Sequence, residues 1–264
     1  HDADPFYEIH YKNKHSLDGT VMIYDFPRSN GAAVPSDKYL ATYDPYVSDN
    51  IDEGGSVGVT YIWLHPRYWD KEMPLTGILV ASYIGKHPQG LDGYHGVQEL
   101  LMSFYGNPLQ GLWYEKNRGR SCRDYYVKKK KAFLLAPEPG QFQTDGRTKR
   151  ITQYGITVGN KIAKIQMLDD TSDLLKQQLE SLEKLLIETL GCIFLVRQMI
   201  SFKLDANADA VSCLILLPTA LKEIEYTMIE EVKKKNKHNP LTFLSQNTNL
   251  YRERNYGRQK NKSY

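Results

Sequence analysis

Lys38-Tyr-Leu-Ala-Thr-Tyr-Asp44-Pro-Tyr46 is the stretch from which the fold is read. Residues 39–43 have the aromatic and β-branched character of a strand, and they run directly into Asp44-Pro45. Upstream, residues 21–26 form a short apolar run ended by Pro27, and a Pro/Ser/Asn/Gly loop covers 28–37. Downstream, residues 52–55 make a turn, and 56–64 read as a second strand with small residues on one face. Residues 77–84 are nearly all apolar, which predicts a third strand buried on both faces.

Helical spacing begins at Leu91. Val97, Leu100, Leu101 and Phe104 recur at i, i+3, i+4, i+7 and predict one core-facing stripe, stopped by Gly106-Asn107-Pro108. Residues 111–114 then read as a strand ending at Glu115, 122–131 as a helix, and 132–135 as a further strand. Strand, helix, strand, helix in this order predicts an α/β fold with a mixed central sheet flanked by helices. Residues 136–158 are a Gly/Pro/polar connection, too long for an ordinary turn and expected to be mobile or to face a nucleic acid. From Asn160 the chain reads as helical, with leucines at three- and four-residue spacing over 174–190. An interruption at 205–207 follows, and then a strongly apolar helix over 209–230 that Pro218 should kink. Residues 233–264 are basic with few apolar anchors, so the expected organisation is one domain over 1–232 and a weakly ordered tail.

Composition excludes several classes. With 41% hydrophobic and 25% charged residues over 264, the chain has the make-up of a folded domain. No apolar run approaches the ~18–20 residues of a membrane span. Three cysteines without a CxxC spacing exclude a disulfide scaffold or a zinc site and fit a reducing cytosol. No signal peptide is visible, and the start at His1 reads as a fragment boundary. The net charge of +3 is modest, but its distribution is uneven. Arg118, Arg120, Arg123 and Lys128 crowd one stretch, and Arg147, Lys149 and Arg150 follow. Such clusters suit a polyanion, because phosphate contacts come mainly from Lys and Arg.

Three acids stand where strand ends and helix starts place side chains at the rim of a sheet: Asp44, Glu115 and Asp209. Brought together they repel, by about 4 kcal/mol per pair at ~4 Å and an effective dielectric of ~20. Protons or divalent cations must relieve that repulsion, and all-oxygen ligation points to Mg²⁺ or Mn²⁺. A thiol nucleophile, Cys122 with His95, is a weak rival, since nothing in the sequence brings the two together.

The words around the acids resemble the nuclease motifs of the large terminase subunits of tailed bacteriophages. Residues 38–46, followed by Glu53-Gly-Gly-Ser-Val-Gly-Val-Thr-Tyr61-Ile-Trp, are similar to the first motif. Leu79-Val-Ala-Ser-Tyr-Ile-Gly85 looks like the next strand, and Trp113-Tyr-Glu115-Lys-Asn-Arg-Gly119 like the second acidic motif. Residues 195–202 and then Asp205-Ala-Asn-Ala-Asp209-Ala-Val look like the third. The ordered set, from about Val21 to Tyr226, carries the resemblance.

It implies an RNase H-like nuclease domain that cuts concatemeric viral double-stranded DNA during genome packaging, using two divalent ions. Asp44 would be the ligand shared by both ions, with Glu115 and Asp209 each completing one site and Asp205 a possible helper. Lys116 and Arg118, directly after Glu115, would position a phosphate. The implied partners are DNA, the packaging ATPase domain of the full-length protein, the portal and the small terminase subunit, in the cytoplasm of the infected bacterium. Two departures stand out. Ala210 occupies a position where many family members carry a second charge, and no GxxxxGK[ST] occurs, so the ATPase motor is not in this chain. The alternatives are another RNase H-like enzyme of resolvase or transposase type, and a non-catalytic DNA- or portal-docking module.

Overall fold

The computed structural model describes residues 19–27, 33–46, 56–69, 74, 77–108, 110–139, 153–158, 161–179, 182–204 and 208–237, the side chains of the last helix to 226. In chain order the elements are β1 (Thr20–Ile23), β2 (Tyr39–Asp44), β3 (Gly58–Leu64), β4 (Leu79–Gly85), α1 (Gly90–Phe104), β5 (Leu112–Tyr114) and α2 (Arg120–Lys128). They continue with α3 (Lys161–Leu175), β6 (Gln178–Leu179), β7 (Lys184–Leu185), α4 (Ile193–Ile200), α5 (Asp209–Leu214) and α6 (Leu216–Lys237).

A mixed sheet of order β1-β4-β3-β2-β5 forms the centre. β2, β3 and β4 make an antiparallel meander, and β5 returns parallel to β2 after the α1 crossover. Every residue of β2, β3 and β4 is buried, as their apolar composition requires of a sheet covered on both faces. The two faces are told apart by alternation. Tyr43 and Thr60, paired across β2 and β3, face α1, where Tyr43 stacks on Tyr94 and Thr60 Oγ1 accepts from Gln98 Nε2 at 2.8 Å. Thr42 faces the other way, accepts from Trp63 Nε1 at 2.9 Å, and touches Cys213 Sγ of α5 at 3.2 Å.

A buried polar chain ties the α1 face together. Tyr126 of α2 donates to Gln98 Oε1 at 3.2 Å, and Tyr94 Oη donates to the Tyr83 carbonyl at 3.0 Å. Gly58 is the small residue that lets α1 approach, since a Cβ there would lie 2.7 Å from the Tyr94 ring.

The described residues divide into two units between Ala220 and Leu221, inside α6. The first holds the sheet and the acids. The second continues the helix to Lys237, so the basic stretch begins in helical conformation at 233–237; residues 238–264 lie outside the described residues.

Several local expectations are corrected. The stripe Val97, Leu100, Leu101, Phe104 is not the core face of α1: Leu100 is 71% and Phe104 46% exposed. The buried face is Tyr94, His95, Gln98, Leu101 and Met102, of which Tyr94 and Gln98 bond the sheet. Residues 132–135 are not a strand but a 3₁₀ turn, with Leu135 making one bridge to Leu112. Lys130, at φ 58, ends α2 earlier than expected. The leucines of 174–190 do not form one helix, because α3 stops at Leu175 and a β6–β7 hairpin follows. The last helix breaks at Ile215, before Pro218 rather than at it. Pro218 then sits in the first turn of α6, where its missing N–H costs no helical bond. In the 136–158 connection Tyr154–Ile156 lies beside β5, with Glu115 and Ile156 bridged in parallel, and residues 140–152 lie outside the described residues.

Candidate functional site

Parallel register builds the first half of the site. Tyr43 pairs with Tyr114, so the next residues in each strand, Asp44 and Glu115, emerge side by side on one face. That face is the one Thr42 shares with α5. α5 supplies the second half. Asp209 and Cys213 are i and i+4 on α5, one turn apart on a single face. Cys213 seats on Thr42, and Asp209 is thereby carried to the Asp44 end of β2. The three acids, scattered over 166 positions of the chain from 44 to 209, reach one sheet edge.

Their environments differ. Asp44 is 1% exposed, and among the described residues neither of its carboxylate oxygens has a hydrogen-bond partner. Burial holds its carboxyl well above the usual carboxylate range, and the charges of Asp209 and Glu115 push it further. Arg118 and Lys164 pull it partly back. Asp209 is firmly held, accepting from the Val57 backbone N–H at 2.8 Å and from Ser56 Oγ at 3.2 Å. The Glu115 side chain is 15% exposed and lies 3.8 Å from Arg118 Nε. Burial raises its carboxyl too, opposed by Arg118 and Lys164.

No protein-family model matches this chain, and no curated protein sequence matches it.

The arrangement can be tested for a cation from its own donors. Among the described residues no three His, Cys, Asp or Glu side chains are gathered as a ready-made ligand group for an ion. The donor chemistry nevertheless suits a hard divalent cation. A buried carboxyl with neither oxygen hydrogen-bonded, within reach of the charges of two more acids, is relieved by a proton or by such a cation.

The predicted phosphate contacts separate into groups. Arg118 borders the acids. Arg120 and Arg123 are exposed on the first turns of α2, Arg120 within 3.7 Å of Asp124. Lys128 is at the other end of α2, roughly 12 Å along the axis from Arg120. Lys116 is not a free cation: its ammonium donates to Glu138 Oε1 at 2.9 Å and to Gln153 Oε1. Asp205, Arg147, Lys149 and Arg150 lie outside the described residues. Lys164, in the first turns of α3, was not legible in the sequence; it stands 49 positions from Glu115, with no motif around it. The thiol reading loses its basis, since Cys122 is fully buried and burial pushes its thiol up, away from the reactive thiolate.

Proposed function

We propose that this chain is an RNase H-like, metal-dependent endonuclease acting on double-stranded DNA, the nuclease module of a tailed-bacteriophage packaging terminase. The observation that carries the reading is Asp44: a buried, unpaired carboxylate at the end of a central strand, with acids from β5 and α5 beside it. A structural acid would be expected to own a hydrogen bond or an ion pair, because an unpaired buried charge is costly. The mixed sheet, with β5 parallel to β2 and the acids at their adjoining ends, is compatible with the fold that the motif order implies.

Asp44, Glu115 and Asp209 would hold Mg²⁺ or Mn²⁺. When bound, such ions supply activation of a water and stabilisation of the leaving oxygen of a phosphodiester. The rest falls to the protein's own residues. Val57 and Ser56 fix the orientation of Asp209, the Thr42–Cys213 contact keeps α5 seated, and the buried sheet excludes bulk water from Asp44. Arg118 and Lys164 bring positive charge to the acids, where a phosphate would otherwise be repelled. Sequence preference would be weak, because backbone contacts carry little base information. The partners in this reading are DNA, the packaging ATPase domain of the full-length protein, the portal and the small terminase subunit, in the cytoplasm of the bacterial host. Among the described residues no helix is long and apolar enough to cross a membrane.

The docking-module reading has one observation in its favour, the lack of a preformed three-ligand group among the described residues. Plasmid digestion with Mg²⁺, Mn²⁺, Ca²⁺ or chelator decides between them. Nicking and linearisation in Mn²⁺, abolished by chelator and by Asp44→Asn in a folded variant, is the expected result. Equal cleavage by Asp44→Asn, or none by the wild type, removes the nuclease reading. Preference for branched over linear duplex would move it to the resolvase class.

A further inference from the structure

We propose that Lys116, paired with Glu138, is a positioning residue that holds Glu115 toward Asp44 and does not itself contact nucleic acid. The inference rests on the nuclease reading for its consequence, but its geometry stands on its own. Glu115 follows the last residue of β5 and makes a single bridge to Ile156 of the Tyr154–Ile156 segment. The Ile156 N–H donates to the Tyr114 carbonyl at 2.8 Å, and the Lys116 N–H donates to the Ile156 carbonyl at 2.9 Å. Glu115 is thus bracketed between two backbone bonds to a segment that lies some 40 residues away in sequence.

Lys116 is what fastens that segment. Its ammonium bonds Glu138, 22 positions on, and Gln153, 37 positions on. The Glu138 carboxylate also accepts from Thr157 Oγ1 at 2.8 Å, and its backbone N–H donates to the Gln153 carbonyl at 3.0 Å. Asn117 adds a bond from Nδ2 to the Val158 carbonyl at 3.1 Å. The Glu138 side chain is only 5% exposed, so removing the Lys116 ammonium takes an ion-pair partner from a buried carboxylate. Two of the three ammonium donors of Lys116 are already committed. Lys116 lies in the turn that directly follows Glu115, so the latch acts on the peptide next to that residue. A one-residue loss of register there would turn Glu115 away from the site altogether.

The test uses the full chain as wild type, Lys116→Met, Lys116→Arg and Glu138→Gln. Three quantities are measured: kcat and KM for plasmid cleavage in Mn²⁺, the salt dependence of DNA binding in chelator, and amide exchange by NMR. Lys116→Met is expected to lower kcat tenfold or more with KM within twofold, and to leave the salt slope unchanged. Lys116→Arg should recover most of the loss. The Ile156 amide should exchange at least tenfold faster in Lys116→Met, while amides of β3 keep their protection. A raised KM with intact kcat, and a salt slope reduced by about one, would make Lys116 a phosphate contact and overturn the proposal. Unchanged Ile156 exchange would overturn it as well. If Lys116→Met fails to fold, Glu138→Gln carries the same readouts, since it weakens the pair and keeps the acceptor. If the wild type does not cleave DNA, the nuclease reading falls, and Ile156 exchange still decides whether the latch holds the Glu115 ladder.

Discussion

Lowering the pH from 7 to 5 should destabilise this protein through His95, and the amount can be worked out. His95 is fully buried on α1, in a cage of Tyr43, Tyr94, Tyr125 and Tyr126, with ring centroids 5.3 to 6.4 Å away. Neither ring nitrogen has a hydrogen-bond partner among the described residues. Gln98, which also acts on the ring, donates to Thr60 and accepts from Tyr126. Burial therefore pushes the imidazole down to about 4, against weaker opposing pulls from Gln98 and Asp92. In the unfolded chain the group titrates near 6.5, so the unfolded state binds the proton first. The stability that the neutral ring confers is complete above 6.5 and is lost as the pH falls toward 4. Between pH 7 and 5 the loss is about 2 kcal/mol, with a plateau near 3 kcal/mol below pH 4. The comparison is wild type against His95→Phe, which keeps an aromatic ring in the cage. The buried acids Asp44 and Glu115 drift with the opposite sign, but they are common to both proteins and cancel in the difference. In urea, with a slope of about 3 kcal/mol/M, the wild-type midpoint should fall by ~0.6 M more than that of the variant. Parallel loss in the two proteins would show that His95 accepts a proton without cost, and the cage argument would be wrong.

Replacing Arg118, Arg120 and Arg123 together by Gln should weaken DNA binding in chelator and reduce the slope of log K against log salt by about two to three, measured by fluorescence anisotropy; an unaltered slope would remove these arginines from the interface. Gly155→Ala should cost about 2–3 kcal/mol in urea unfolding. Gly155 has φ +83, and a Cβ there would lie 2.8 Å from the Tyr114 carbonyl that Ile156 must reach, so a neutral substitution would mean the Tyr154–Ile156 pairing is dispensable.

The strands were legible because their composition and burial agree. Tyr39–Asp44, Gly58–Leu64 and Leu79–Gly85 are aromatic and β-branched stretches, and each lies wholly inside. The helices were less so. In α1 the apolar spacing pointed outward, because the inner face uses Gln98 and Tyr94, which bond the sheet and α2, and His95, which sits among tyrosines. A hydrophobic pattern cannot anticipate a buried polar relay. The three acids could be singled out from their places at two strand ends and a helix start. What the sequence could not show was their differing environments: Asp209 bonded, Asp44 orphaned, Glu115 flanked by backbone bonds to the Ile156 segment. Lys116 reads as a phosphate contact from its place directly after Glu115. Its bonds to Glu138 and Gln153 were hidden because those residues become neighbours only through tertiary pairing.

The most direct test of the convergence of Asp44, Glu115 and Asp209 on divalent ions is anomalous diffraction from crystals soaked in Mn²⁺. The account predicts two manganese peaks at the Asp44 carboxylate, one shared with Glu115 and one with Asp209. A map with no peak at Asp44, in crystals that take up manganese elsewhere, would contradict it.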